Sequence, residues 1–218
     1  MKDLNLEGSN TWHRRGHYFT KIFGISFGGG QQRPGNFAHT AAEDAVWEKL
    51  RNTPEIQAVA RRVDYLLACY FPKIHSLYTN VLSDICEADN SLVRNWENCC
   101  FAASSINLDS AITVYHHDWR NTLFGECAVK NCGPFDYKKG GNLVLWDLRL
   151  IIEFPPGCTA FFPSAMLAHS NTSIAPGEQR HSMTFFMASG LLRWRHNSYM
   201  SDKDFIAWGI EIGKAGLG

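Results

Sequence analysis

The sequence predicts an α+β fold: a double-stranded β-helix (jelly-roll) core with N-terminal helices packed on its outer sheet. Three observations predict it. Residues 100–195 or so hold short β-branched and aromatic runs punctuated by Gly and Pro turns. Residues 40–98 or so carry apolar side chains at helical spacing instead. At 218 residues, 45% hydrophobic and 13% aromatic, the chain fits one domain, 1–218, with a sizeable core.

The elements follow in order. Tyr18 to Phe27 reads as extended and ends in Gly28-Gly29-Gly30-Gln31, with Pro34-Gly35-Asn36 continuing the loop. No Lys-Ser/Thr and no G-x-x-G follows, so this is neither a Walker loop nor a dinucleotide fingerprint. It is either a wide turn or a loop lying over a substrate. Thr40-Ala41-Ala42-Glu43 is a capping box opening a helix to about Arg51. Thr53-Pro54-Glu55 starts a second, with Pro at its first position and Ile56, Val59, Ala60, Val63, Leu66 and Leu67 on one face. A third spans Pro72 to Cys86. Strands are expected at Ala111–Tyr115, Leu123–Val129, Asn142–Asp147, Leu150–Phe154, Thr159–Phe162 and Arg180–Ala188.

Four side chains in this frame carry chemistry: His116, Asp118, His169 and Arg180. Residues two apart on a strand share a face, so His116 and Asp118 can converge on an ion while His117 points away. With His169 from another strand they make the two-His, one-carboxylate set of a non-haem Fe(II) oxygenase, which leaves positions open. Arg180 is placed to clamp the far carboxylate of 2-oxoglutarate with its two-pronged guanidinium, and Ser182 shares its face. His117 and His181 are rival ligands, each one residue out of phase.

Composition narrows the partners. Formal net charge is zero, so no global field draws the protein to nucleic acid or anionic membrane. Local basic pairs such as Arg14-Arg15, Arg61-Arg62 and Lys138-Lys139 would have to serve. The seven Cys lack a zinc-finger spacing, which suggests free thiols in a reducing compartment. Met1–Asn10 has no apolar signal-peptide core and no run reaches membrane-span length, so an intracellular protein is expected.

Ser26-Phe27-Gly28-Gly29-Gly30-Gln31, Pro34-Gly35-Asn36, Lys138-Lys139-Gly140-Gly141, Leu145-Trp146-Asp147 and Glu153-Phe154-Pro155-Pro156-Gly157 also carry a likeness. From roughly Phe19 to Trp194 the chain resembles the TET/JBP-like Fe(II)/2-oxoglutarate dioxygenases, in particular a branch expanded in basidiomycete fungi. The resemblance implies oxidation of methylated bases, 5-methylcytosine or N6-methyladenine, in flipped-out DNA, with Fe(II), 2-oxoglutarate and O2 as cofactors, and a nuclear location. It implies that His116, Asp118 and His169 hold iron and that Arg180 and Ser182 grip 2-oxoglutarate. It further implies that Asn121 reads the base and Phe186 stacks on it, a Tyr being common at that place. Trp119 and Arg120, inside the motif, would shape the substrate pocket. Two other classes remain: a 2-oxoglutarate oxygenase acting on a protein side chain or metabolite, and a catalytically dead nucleic-acid-binding barrel.

Overall fold

The computed structural model describes residues 12–215; the Met1–Asn10 reading lies outside them. A short hairpin, β1 (Trp12–His13) and β2 (Gly16–His17), leads into β3 (Phe19–Ser26) and then β4 (Gly35–Asn36). Three helices follow: α1 (Ala41–Arg51), α2 (Pro54–Tyr70) and α3 (Pro72–Ala88). The rest is β5 (Ala103–Leu108), β6 (Cys127–Cys132), β7 (Leu143–Leu145), β8 (Leu150–Ile152), β9 (Thr159–Phe162), β10 (His169–Asn171) and β11 (His181–Phe186). Helices α4 (Ser189–His196) and α5 (Asp202–Ala215) close the chain and have no counterpart in the sequence reading.

The helix starts follow local chemistry. Thr40 accepts a hydrogen bond from the Glu43 backbone N–H, and Glu43 accepts one from the Thr40 backbone N–H. This satisfies two donors that a helix start otherwise leaves unpaired. Pro54 and Pro72 open α2 and α3, where a missing N–H costs nothing.

Two antiparallel sheets build the jelly roll. The large sheet runs β4-β3-β5-β11-β6-β9 and the small one β10-β7-β8. Alternation along the strands sends the large sheet's two faces to different fates. Phe23, Phe185, Met183 and Ala128 face the helices and pack with Val63, Leu67, Tyr78, Leu82 and Ile85 in the main core. A second, smaller core of Leu143, Leu145, Phe154 and Phe162, with Val129, Ala160 and Leu167 against it, joins the two sheets.

Several strand expectations need correction. Ala111–Tyr115 is not a strand: Asp109 takes a left-handed φ of 71° and turns the chain out of β5. The backbone N–H groups of Ala111 and Val114 then donate to Arg180 and Arg15 instead of a ladder. The strand on that side is β5, whose Ser- and Asn-rich sequence resembles a loop but finds partners inside the barrel. The Leu123–Val129 strand starts later, at Cys127, because Thr122–Gly125 closes a turn. The strands expected over Asn142–Asp147, Leu150–Phe154 and Arg180–Ala188 are shorter, and that over Thr159–Phe162 matches β9. No helix among the described residues is long and apolar enough to cross a membrane.

Candidate metal centre

His116, Asp118 and His169 come together, though not as a strand would bring them. His116 pairs with His169 through an isolated antiparallel bridge, each backbone N–H donating to the other's carbonyl. Asp118 begins a turn closed by the Asn121 N–H, and its own N–H donates to the Ser164 carbonyl. The ladder extends the small sheet by one rung, and the turn then delivers the carboxylate.

Both imidazoles are oriented for a ligand. His116 Nδ1 lies 2.8 Å from the Val114 carbonyl and His169 Nδ1 2.9 Å from the Leu167 carbonyl. A proton on each Nδ1 leaves Nε2 with its lone pair free for a metal, a tautomer set by that partner. His116 Nε2 is 3.7 Å from Asp118 Oδ1 and His169 Nε2 is 3.9 Å from Asp118 Oδ2. The ligand atoms of the three residues all lie within 4.8 Å of one another. Burial, reinforced by the neighbouring His169, pushes the His116 imidazole down to about 4; burial also lowers His169, against the pull of Asp118. Neutral rings beside a carboxylate are the donor set that takes a divalent cation, and a facial set of this kind suits Fe(II).

The surrounding groups hold the carboxylate. Arg15, from the β1–β2 turn, places Nη2 2.6 Å from Asp118 Oδ1. The contact is an ion pair rather than an aligned hydrogen bond, and Oδ1 is buried without a hydrogen-bond donor. Asn121 donates from Nδ2 to Ser164 Oγ at 3.0 Å and lies 3.4 Å from Asp118 Oδ2. Its amide NH2 therefore faces the Asp118 carboxylate. Phe162 stands edge-on to the His169 ring at 4.9 Å.

Arg180 is only 2% exposed, among the most buried large side chains. One guanidinium nitrogen, Nη1, donates to the Ala111 carbonyl, while Nε is buried with no partner. Its guanidinium carbon lies 5.7 Å from the centre of the Phe154 ring, and Phe154 shares the barrel core with Phe162. Burial lowers it to about 10, so it stays charged at neutral pH. A buried cation with a donor left over calls for an anion. The carboxylate of 2-oxoglutarate fits that need.

Ser182 lies in a polar row crossing the large sheet's inner face: Thr20, Asn107, Ser182 and Asn131 are register partners across β3, β5, β11 and β6. Thr20 donates to Asn107 Oδ1 at 2.7 Å and Asn107 Nδ2 donates to Ser182 at 3.0 Å. Sequence reasoning missed Ser164, Asn107 and Asn131, and it read Arg15 only as part of a basic pair, not as a partner of Asp118. For Asn107 the period-2 spacing of Ser105 and Asn107 in β5 was the available signal.

Phe186 ends β11 on the inner face, half-buried. Trp119 is 71% exposed and stacks on His117, ring centres 4.5 Å apart. Arg120 lies over the glycine loop: a Cβ on Gly29 would sit 2.9 Å from its Nη2, and Gly29 takes a left-handed φ of 63°. His117 and His181 turn elsewhere, His181 Nδ1 accepting from the Asp109 N–H. A cavity of about 270 Å³ opens beside His116, lined by Arg14, Arg15, Tyr115, His117 and Trp119. A larger cleft near α1, between His39 and Arg94, lies on the other side of β3 from this chemistry.

No protein-family model matches the chain, and no curated protein matches it. A comparison of folds finds NgTET1 in complex with 5mC DNA, at TM-score 0.59 over 87% of this chain. In fold, the chain resembles NgTET1. Identity to NgTET1 is 19%, and the aligned part spans 64% of that chain, just under two thirds. A 2OG-Fe(II) oxygenase-family oxidoreductase from Burkholderia pseudomallei aligns over 81% of this chain and 71% of its own, at 16% identity and TM-score 0.41.

Proposed function

We propose that this protein is an Fe(II)/2-oxoglutarate-dependent dioxygenase that hydroxylates the methyl group of a methylated base in DNA. The observation that carries the reading is the convergence of two free His Nε2 atoms on Asp118 in a barrel that also buries Arg180 with a donor to spare. His116, Asp118 and His169 would hold Fe(II), and Arg180 would bind the far carboxylate of 2-oxoglutarate beside Ser182. Bound there, iron with 2-oxoglutarate and O2 supplies the oxidising power to hydroxylate a C–H bond.

The DNA substrate is supported by the fold shared with NgTET1 and by the chemistry of the mouth. Tyr115, Trp119 and Trp146 are each at least half exposed there, Tyr115 edge-on to Trp146 at 5.8 Å, with Arg14 and Arg15 lining the adjoining cavity. Flat rings and guanidinium groups suit stacked bases and phosphates. A methyl group reaches the iron only if its base leaves the stack, at a cost of roughly a few kcal/mol. Stacking on Phe186 would offset this by about 1–3 kcal/mol, and Asn121 retains a carbonyl oxygen to meet a base edge. The base is 5-methylcytosine or N6-methyladenine, and a nuclear location accompanies that substrate.

The test is nucleoside mass spectrometry after incubating methylated duplex DNA with Fe(II), 2-oxoglutarate and protein, beside His116→Ala. An oxidised or demethylated product absent from the variant supports the proposal and names the base. Succinate without any change in DNA would assign the site to a protein or metabolite substrate, and no succinate at all would leave a non-catalytic barrel.

A further inference from the structure

On the helical side of the large sheet, Asp64 of α2, His75 of α3 and Cys100, just before β5, bring a carboxylate, an imidazole and a thiol together. We propose that they form a second metal site, for a divalent ion of zinc type, that clasps the two helices to the segment entering β5. Their ligand atoms all lie within 4.8 Å of one another. His75 Nε2 is 3.1 Å from Asp64 Oδ1, and the Cys100 backbone N–H donates to the same oxygen at 2.9 Å.

The donor set distinguishes this cluster from the first. Oxygen, nitrogen and sulfur together match a borderline-soft ion such as Zn2+, whereas the barrel site offers no sulfur. Access also fits. Cys100 is 3% exposed, while the Asp64 and His75 side chains keep 23% and 25% exposure. An ion can therefore enter from the solvent side, and water can complete a tetrahedron. Without an ion, burial and the neighbouring carboxylate keep Cys100 protonated. As the metal–sulfur bond forms, the thiol proton passes to solvent, and carboxylate plus thiolate neutralise the ion's two charges. No local Cys or His spacing announces the site, because each ligand comes from a different segment.

The probe is Co2+, whose thiolate complexes show a sulfur-to-metal charge-transfer band that the barrel site cannot produce. Titrating the protein should give this band in the wild type and in His116→Ala. It should be lost in Cys100→Ser and lost or strongly weakened in His75→Ala, with far-UV circular dichroism confirming that each variant is folded. Zn2+ should displace Co2+ and raise the melting temperature of His116→Ala, with a proton released on binding. No band in the wild type, or an undiminished band in Cys100→Ser, would overturn the proposal and leave a hydrogen-bonded Asp64–His75 pair. Neither result bears on base oxidation, which is read from the nucleosides.

Discussion

Arg15 Nη2 sits 2.6 Å from Asp118 Oδ1, so the carboxylate proposed to bind the metal already has a counter-charge from the β1–β2 turn. The guanidinium steers Asp118 but also repels an arriving cation. Arg15→Gln should therefore tighten binding of a divalent probe such as Mn2+ by roughly tenfold, more at low salt than at high. Calorimetric titration at two ionic strengths checks this; weaker binding would make Arg15 chiefly a positioning group.

Arg180 donates to Ala111 and keeps Nε unpartnered in a buried setting. Lys at this place keeps the charge but loses the planar fork. Arg180→Lys should weaken 2-oxoglutarate binding by about 1.5–3 kcal/mol, roughly 10- to 150-fold. The apparent KM for 2-oxoglutarate should rise while divalent-ion affinity, measured separately, holds.

Trp119 is exposed and its ring contact is with His117. Removing it should leave stability within about 0.5 kcal/mol. If the mouth receives nucleic acid, Trp119→Ala should weaken single-strand affinity by about 1–3 kcal/mol. Fluorescence anisotropy with a labelled oligonucleotide reads the change, and unchanged affinity would remove Trp119 from the substrate surface.

Glu43 caps α1 and pairs with Lys21, and those contacts bring its carboxyl from the ordinary 4.5 down to about 2. A depressed folded-state value means stability present above the unfolded value and lost as pH falls through the folded one. Glu43→Gln keeps an acceptor for the Thr40 N–H but loses the Lys21 ion pair and the negative charge at the helix start, so it should cost about 0.5–1 kcal/mol at neutral pH. The gap between variant and wild type should narrow from about pH 4.5 toward pH 2. Urea unfolding at several pH values would show it; a gap independent of pH would assign the effect to packing.

Much of the fold was legible because its signals are local. The capping box at Thr40, Pro54 at a helix start and the apolar face running through Val63 and Leu67 each act within a few residues, and α1 to α3 lie where they indicate. Strand β5 was not legible. Its Ser105 and Asn107 gain their value from Thr184 and Ser182 on β11 and Thr20 on β3, all far along the chain.

The same division runs through the sites. Residue types and spacing by themselves singled out His116, Asp118, His169 and Arg180 as the candidate set, because the chemistry restricts which side chains can serve and in what order. Only the tertiary structure decided how they meet: a bridge to His169 and a turn at Asp118, where the sequence reading expected a strand. It alone brought Arg15 to Asp118 and gathered Asp64, His75 and Cys100. Charge pairing and metal coordination act over a few ångströms in space whatever the separation along the chain, so those partners exist only once the sheets and helices have packed.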